Sequence, residues 1–143
     1  MILFFPHPFT EHKIHLKNSL VMLVPRLSSG EAAQALYRFA CDDRDLPVNE
    51  VLFRMLGTID HDGDLTVLNL SHNYLGPNGI MAILPVIEAN TSTLRELVIP
   101  RQGATDTFII TLVDVLIVHP TPYLRYIDVS GNTHLTEESG RPY

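Results

Sequence analysis

Leucine-type residues recur in this chain at fixed offsets, and the offsets themselves repeat. In "LTVLNLSHNYLGPNGIMAIL", residues 65 to 84, one unit is marked by Leu65, Leu68, Leu70, Asn73 and Leu75. Moving forward 29 places gives Leu94, Leu97, Ile99, Gln102 and Ala104, and 30 more gives Leu124, Ile127, Val129 and Asn132, with Leu135 displaced by one place. Moving back 29 from Leu65 reaches Leu36, Phe39, Cys41, Arg44 and Leu46. A period of this length marks an array of supersecondary units, none of which buries its apolar face alone. Within "VLNLS" alternate residues point to opposite faces of a strand, so Leu68 and Leu70 are expected to enter the core while Val67, Asn69 and Ser71 face out.

Each strand must then give way to a bend and a helix. Pro77 sits where a first helical turn tolerates it, and Ile80, Ile83, Leu84 and Ile87 follow as one apolar stripe. The stripe recurs as Phe108, Leu112, Val115 and Leu116 in the next unit, and as Val51, Leu52, Met55, Leu56 and Ile59 in the preceding one. Pro85 lies inside its segment and is expected to kink or shorten the helix.

These four units over residues 36 to 135 resemble the leucine-rich repeat family, and their length is similar to that of its ribonuclease-inhibitor-like class. "GIMAILPVIEAN" (79 to 90) resembles that class's helix, which begins at Gly and closes on Asn, and "TEESGR" after Leu135 resembles the start of another. The resemblance implies an α/β solenoid: a right-handed β-α arc with a parallel sheet on the concave face and helices on the convex face. It also implies that an Asn at the position of Asn73 satisfies backbone groups the bend would leave unpaired. Asn73 and Asn132 fit that role, Gln102 imitates it with a longer arm, and Arg44 departs from it. The expected organisation is an N-terminal segment, 1 to 35, holding a helix (Ser19 to Leu27) or a degenerate capping repeat, followed by a repeat domain, 36 to 143, of about four units with a truncated last one. A competing reading starts a helix at Ser29, with Glu31 in its first turn, and runs it through Leu36 into Phe39, erasing the first strand. The five matches to the repeat favour the strand.

Composition bounds what such an array can do. The 143 residues carry 10 Lys plus Arg against 16 Asp plus Glu, a formal charge of −6. That balance argues against nucleic-acid or anionic-membrane partners, which require clustered cations. The single cysteine, Cys41, cannot form an internal disulfide, which favours a reducing compartment. "MILFFPHPF" lacks the long apolar region and early positive charge of a secretory signal, and "IITLVDVLIV" is broken by Asp114 and closed by Pro120, short of a membrane span. An intracellular, cytoplasmic protein is expected. Asn69-Leu70-Ser71 and Asn90-Thr91-Ser92 match the glycosylation sequon, which would matter only in a secreted protein.

No pattern points to catalysis. Asp60, Asp62 and Asp64 in "DHDGDL" alternate as in a calcium loop, but the sixth and twelfth places hold Leu65 and Ser71 instead of Gly and a bidentate Glu. His12 and His15 lack a nearby third ligand. Cys41 aligns with Leu70 and is expected to be an inert buried thiol. Asp42, Asp43 and Asp45 have no partner acid or base at suitable spacing, and nucleophile-elbow, phosphate-loop and dinucleotide fingerprints are missing. A non-enzyme without cofactor, metal or small-molecule substrate is expected.

The outward strand positions remain, as a grid on the concave face: Arg38, Ala40 and Asp42; Val67, Asn69 and Ser71; Glu96, Val98 and Pro100; Tyr126, Asp128 and Ser130. Val67, Val98 and Pro100 offer an apolar centre, with Arg38, Glu96, Tyr126 and Asp128 around it, as in protein interfaces. His72, Arg101 and Gly131 stand along the rim. The candidate partner-binding residues are therefore Arg38, Val67, Asn69, Ser71, His72, Glu96, Val98, Pro100, Arg101, Tyr126 and Asp128. Because Gly140 and Pro142 closely follow Thr136, Glu137 and Glu138, the last strand is expected to lack its covering helix. That end would then need a partner chain, a second copy or further polypeptide. The leading expectation is a non-catalytic protein-protein interaction module, a scaffold or structural subunit of a larger assembly. The second is a regulator of a GTPase or another enzyme, from a resemblance to the Ran GTPase-activating proteins, with Asn73, Arg101 and Asn132 as its candidate residues.

Overall fold

A computed structural model describes residues 29–58 and 65–133. Its elements in chain order are α1 (Ser29–Asp43), α2 (Glu50–Gly57), β1 (Val67–Asn69), α3 (Gly76–Gly79), a 3-10 turn (Ile80–Ile83), α4 (Leu84–Ala89), β2 (Glu96–Val98), α5 (Asp106–Val118) and β3 (Tyr126–Asp128). The three strands form one parallel sheet in the order β1-β2-β3. Leu68, Leu97 and Ile127 are directly paired across it, so the leucine skeleton stacks in layers as its spacing predicts.

The core lies between that sheet and the helices. Leu65, Leu68, Leu70, Leu94, Leu97 and Ile99 meet Ile80, Ile83, Leu84, Ile87, Phe108 and Leu112 in one buried cluster. Thr93 closes the return to β2, its hydroxyl donating to the Leu65 carbonyl at 2.9 Å and the Asn90 carbonyl at 3.2 Å. The run after β1 is not one helix. Pro85 occupies the first turn of α4, and the backbone ahead of it tightens into the 3-10 turn, with Leu84 N–H donating to the Met81 carbonyl. A proline has no N–H to continue the ladder, so the segment breaks and restarts around it. α5 begins with Thr105 as its N-cap, accepting from Phe108 N–H at 3.5 Å, and Asp106 complements the helix dipole.

The first expected strand is not formed. Residues 36 to 43 belong to α1, and Arg44 lies exposed in the turn after it. The alternative helix is what the chain adopts, because Ala33, Tyr37, Ala40 and Cys41 at helical spacing all become buried on one side. Apolar residues three and two apart satisfy a helix as well as the repeat, and Ala32, Ala33 and Ala35 favour the helix. With Asp45 in a left-handed turn (φ 53), Arg44 and Leu46 N–H groups both donate to the Cys41 carbonyl, at 3.1 and 2.9 Å.

α1 and α2 pack as a helical hairpin against the first repeat, with α1 lying on α4. Asn49 caps α2, its Oδ1 accepting from Leu52 N–H at 3.0 Å, while Asn49 N–H donates to the Tyr37 hydroxyl at 3.0 Å. Gln34 Nε2 donates to the Phe53 carbonyl at 2.8 Å. Gly30 passes so close to α2 that a Cβ there would fall 2.9 Å from the Gly57 carbonyl oxygen. Leu52 and Leu56 supply the buried side of α2, Met55 packs partly, and Val51 is exposed. The expected Ser19 to Leu27 helix, the His12 and His15 pair, Ile59, the alternating aspartates at 60, 62 and 64, and the segment from Leu135 onward lie outside the described residues.

Candidate functional site

Each strand turns one face to the core and the other to open surface. On the open face the register sets Val67 beside Glu96 beside Tyr126, and in the next row Asn69 beside Val98 beside Asp128. Val67 and Tyr126 are 44% and 50% exposed, and the other four are half-buried. Val98 and Tyr126 stand on one diagonal and Glu96 and Asp128 on the other, a mixed apolar and acidic field.

The ends of the strands are shaped by polar turns. Asn69 Oδ1 accepts from Ser71 N–H at 2.9 Å, and Asp128 Oδ1 accepts from Ser130 N–H at 2.8 Å, so equivalent positions in two units make the same turn. Hydrogen bonds from the Ser130 side chain and backbone, aided by the Arg101 charge, hold the Asp128 carboxyl below the usual carboxylate range. Ser71, His72 and Arg101 are exposed, and Arg101 takes a left-handed conformation (φ 53) with its N–H on the Ser130 carbonyl at 2.9 Å.

Two of the candidate residues are not on this face. Arg38 lies on α1, where its guanidinium stacks 4.5 Å from the Phe53 ring centroid. Ala40 is buried on the same helix, so the first row of the expected grid is not formed. Pro100 is buried as well. Ile99 still takes an inward, buried place, but strand pairing ends at Val98 and the outward place of Pro100 is no longer open to solvent. Of the expected apolar centre of Val67, Val98 and Pro100, Val67 and Val98 remain on the open face, and Tyr126 is the further exposed apolar side chain beside them. Alternation also gave no sign that Thr66, Arg95 and Arg125 are exposed at the strand entrances; their only signal is a shared place ahead of each strand.

Beneath this surface a row of amides joins the units. Asn132 is buried; its Oδ1 accepts from Gln102 N–H at 2.9 Å and Ala104 N–H at 3.1 Å, and its Nδ2 donates to the Ile99 carbonyl at 2.8 Å and the Val129 carbonyl at 2.7 Å. Gln102 performs the same task one unit earlier, with Oε1 accepting from Leu75 N–H at 2.9 Å and Nε2 donating to the Leu70 carbonyl at 2.8 Å. Its additional methylene reaches across. Asn73 meets no earlier strand and instead donates to the Asn49 side chain, the cap of α2. The ladder thus ends on the helical hairpin, through a residue that the repeat pattern does not mark. No buried side-chain nitrogen or oxygen among the described residues lacks a hydrogen-bond partner.

A cleft of about 400 Å³ lies between the hairpin and the first repeat, lined by Tyr37, Leu46, Val48, Asn49, Leu75 and Pro77 among others. Its chemistry is weak. Burial pushes the Tyr37 phenol up to about 12 and raises the Cys41 thiol, so both stay protonated at neutral pH. Cys41 is buried, now on a helix rather than in a strand. Among the described residues no group of three His, Cys, Asp or Glu is placed to hold a metal ion, and no helix is long and apolar enough to cross a membrane.

Parallel strands in sequence order, the first two each followed by a helical return and the last two each tied to the strand before by a buried amide, define a protein of repeated β-α units. A family model described as Leucine Rich repeat matches residues 64–84, the unit that carries β1 and the turn into α4, and supports a leucine-rich repeat protein. Neither curated proteins nor solved structures give a match.

Proposed function

We propose that this chain is a non-catalytic protein-protein interaction module that binds polypeptide on the open face of its sheet. The observation that carries the reading is the row of Val67, Glu96 and Tyr126 over Asn69, Val98 and Asp128. The core is complete without these side chains, and they combine apolar anchors with polar neighbours. Leucine-rich repeats generally serve as interaction surfaces, and the repeat at residues 64–84 supports that use here. In the finer reading the units form a ribonuclease-inhibitor-like solenoid. Its arc makes this face concave, with Ser71, His72 and Arg101 on the rim, and the chain serves as a scaffold or structural subunit of a cytoplasmic assembly.

Nothing favours the GTPase-regulator reading. Asn73 and Asn132 spend their amides on the ladder, which leaves Arg101 as its remaining candidate. The test is recovery of native complexes under mild conditions, with crosslinks assigned to residues. Crosslinks should cluster around Val67 and Val98, and Val98→Asp should reduce capture at least tenfold while the far-UV spectrum is unchanged. Undiminished capture by a folded Val98→Asp chain would refute the sheet face as the binding surface.

A further inference from the structure

α5 is apolar on nearly every side, carrying charge only at Asp106 and Asp114. A helix of that kind is built for burial all round. Yet among its residues only Phe108 and Leu112 are buried, while Ile117 is 70% exposed. Ile109, Val113, Leu116 and Ile117 follow one another at i, i+4, i+7 and i+8; Ile109 and Leu116 pack partly against the core, and the apolar side they edge runs out to half-buried Val113 and exposed Ile117.

β3 ends in the same way. Ile127 occupies the inward position of Leu68 and Leu97, which are 1% and 0% exposed, yet it is 45% exposed. Tyr126 N–H and the Asp128 carbonyl bond toward β2, at Arg95 and Ile99, so the main-chain groups of Ile127 point to the opposite edge. Among the described residues no strand pairs there. With the right-handed connection usual between parallel strands, sheet edge, inward isoleucine and helix stripe fall on one end face, on the side of the last unit away from β2 and α4.

We propose that this face joins two copies of the chain, β3 pairing antiparallel with its counterpart about a two-fold axis at Ile127 and α5 lying along the other α5. The chemistry of the face is complementary to itself. Antiparallel pairing centred on Ile127 puts Ile127 against Ile127 and sets Tyr126 opposite Asp128 of the other copy, twice. The half-exposed phenol can then donate to a carboxylate held in its ionised form. The stripe of Ile109, Val113, Leu116 and Ile117 contains no charge, so it offers nothing to a strongly basic or acidic partner and fits an equally neutral surface. A two-fold contact also closes the array, because each copy covers the other's open edge.

Size sets the expected strength. α5 is about 20 Å long, and a helix stacked on a sheet edge is about 20 Å deep with its side chains. The projected face is then about 400 Å² per copy, roughly 800 Å² in all, short of the ~1,000 Å² that a stable interface clears, which makes the dimer weak and readily reversible.

Sedimentation equilibrium of the full 143-residue chain between about 1 and 200 μM tests the proposal. The expected result is a mass that rises with concentration from 16.1 kDa toward twice that value and no further. Ile117→Lys, at an exposed position, should weaken association at least tenfold with an unchanged thermal melt, and Tyr126→Phe should weaken it several-fold. Val98→Asp, which tests the open sheet face, should leave it unaltered, so the two readings fail separately. A monomer at the highest concentration, assembly beyond a dimer, or a dimer indifferent to Ile117→Lys would each overturn the proposal. So would a chain that is monomeric when whole and dimerises after removal of residues 134–143, since its own segment would then be the occupant.

Discussion

Replacing Asn132 with alanine removes the best-connected polar group in the structure. Its side chain is 6% exposed, so water cannot readily take its place. Two N–H groups, on Gln102 and Ala104, lose their acceptor, and the Ile99 carbonyl loses a donor. Each buried group left unpaired costs roughly 1–1.5 kcal/mol, for a total of about 3–4.5 kcal/mol. Set against the ~5–15 kcal/mol that holds a domain together, that is a large fraction. At about 4 °C per kcal/mol, the melting temperature should fall by roughly 12–18 °C. Asn73→Ala supplies the contrast, because Asn73 is half-exposed and accepts from Tyr74 N–H at the surface, where water can substitute. Its cost should stay near 1 kcal/mol. Urea unfolding followed by far-UV circular dichroism, with both variants in one series, measures the difference. Equal losses, or less than about 1 kcal/mol for Asn132→Ala, would refute the view that buried amides join the units.

Leu97→Asp should leave the chain unfolded at 25 °C, since it puts an unpaired charge at a fully buried position between Leu68 and Ile127; a cooperative melt would contradict the register. Gly103→Ala should cost about 1–3 kcal/mol, because the backbone there is left-handed (φ 73) and the new Cβ would meet the Tyr74 hydroxyl at 2.9 Å and Pro77 Cδ at 3.1 Å. Tyr74→Phe should recover part of that loss in a double-mutant cycle. For Tyr37 the phenol titrates near 10 in the unfolded chain and at about 12 in the fold, so its contribution is complete below pH 10 and is lost as pH rises toward 12. The denaturation midpoint should decline over that window, and Tyr37→Phe should flatten the decline.

The stacked part of the fold was legible because its signal is redundant. Leu68 and Leu97 are specified at once by the period of about 30, by alternation within a strand, and by the helical stripe that covers them. Leu36, Phe39 and Cys41 had only the period, and their spacing suits a helix equally well. Tertiary packing decided, through the burial of Ala33, Tyr37, Ala40 and Cys41 on a single side. The candidate site follows the same division. Val67, Glu96, Val98, Tyr126 and Asp128 sit in strands, where alternation is enforced by pairing, and they stand where it places them. Arg38 inherited the error of the first strand, and Pro100 lies past the last paired residue, where an outward place is no longer an exposed one. Asn49 was hidden for another reason. It meets Asn73 across 24 residues, a separation unrelated to the repeat, and its identity is explained locally by capping α2.

The junction at Asn49 also bears on how an array like this can change length. Between β1 and β3 every joint uses the same fitting, an amide reaching back to the previous bend, so a duplicated unit inserted there would find a ready-made socket on each side. At the hairpin the fitting is singular: Asn73 engages a side chain that is already occupied as a helix cap. An insertion ahead of β1 would have to recreate that odd pairing from nothing, so length variants should gain or lose whole units after Asn73 and keep the hairpin in place.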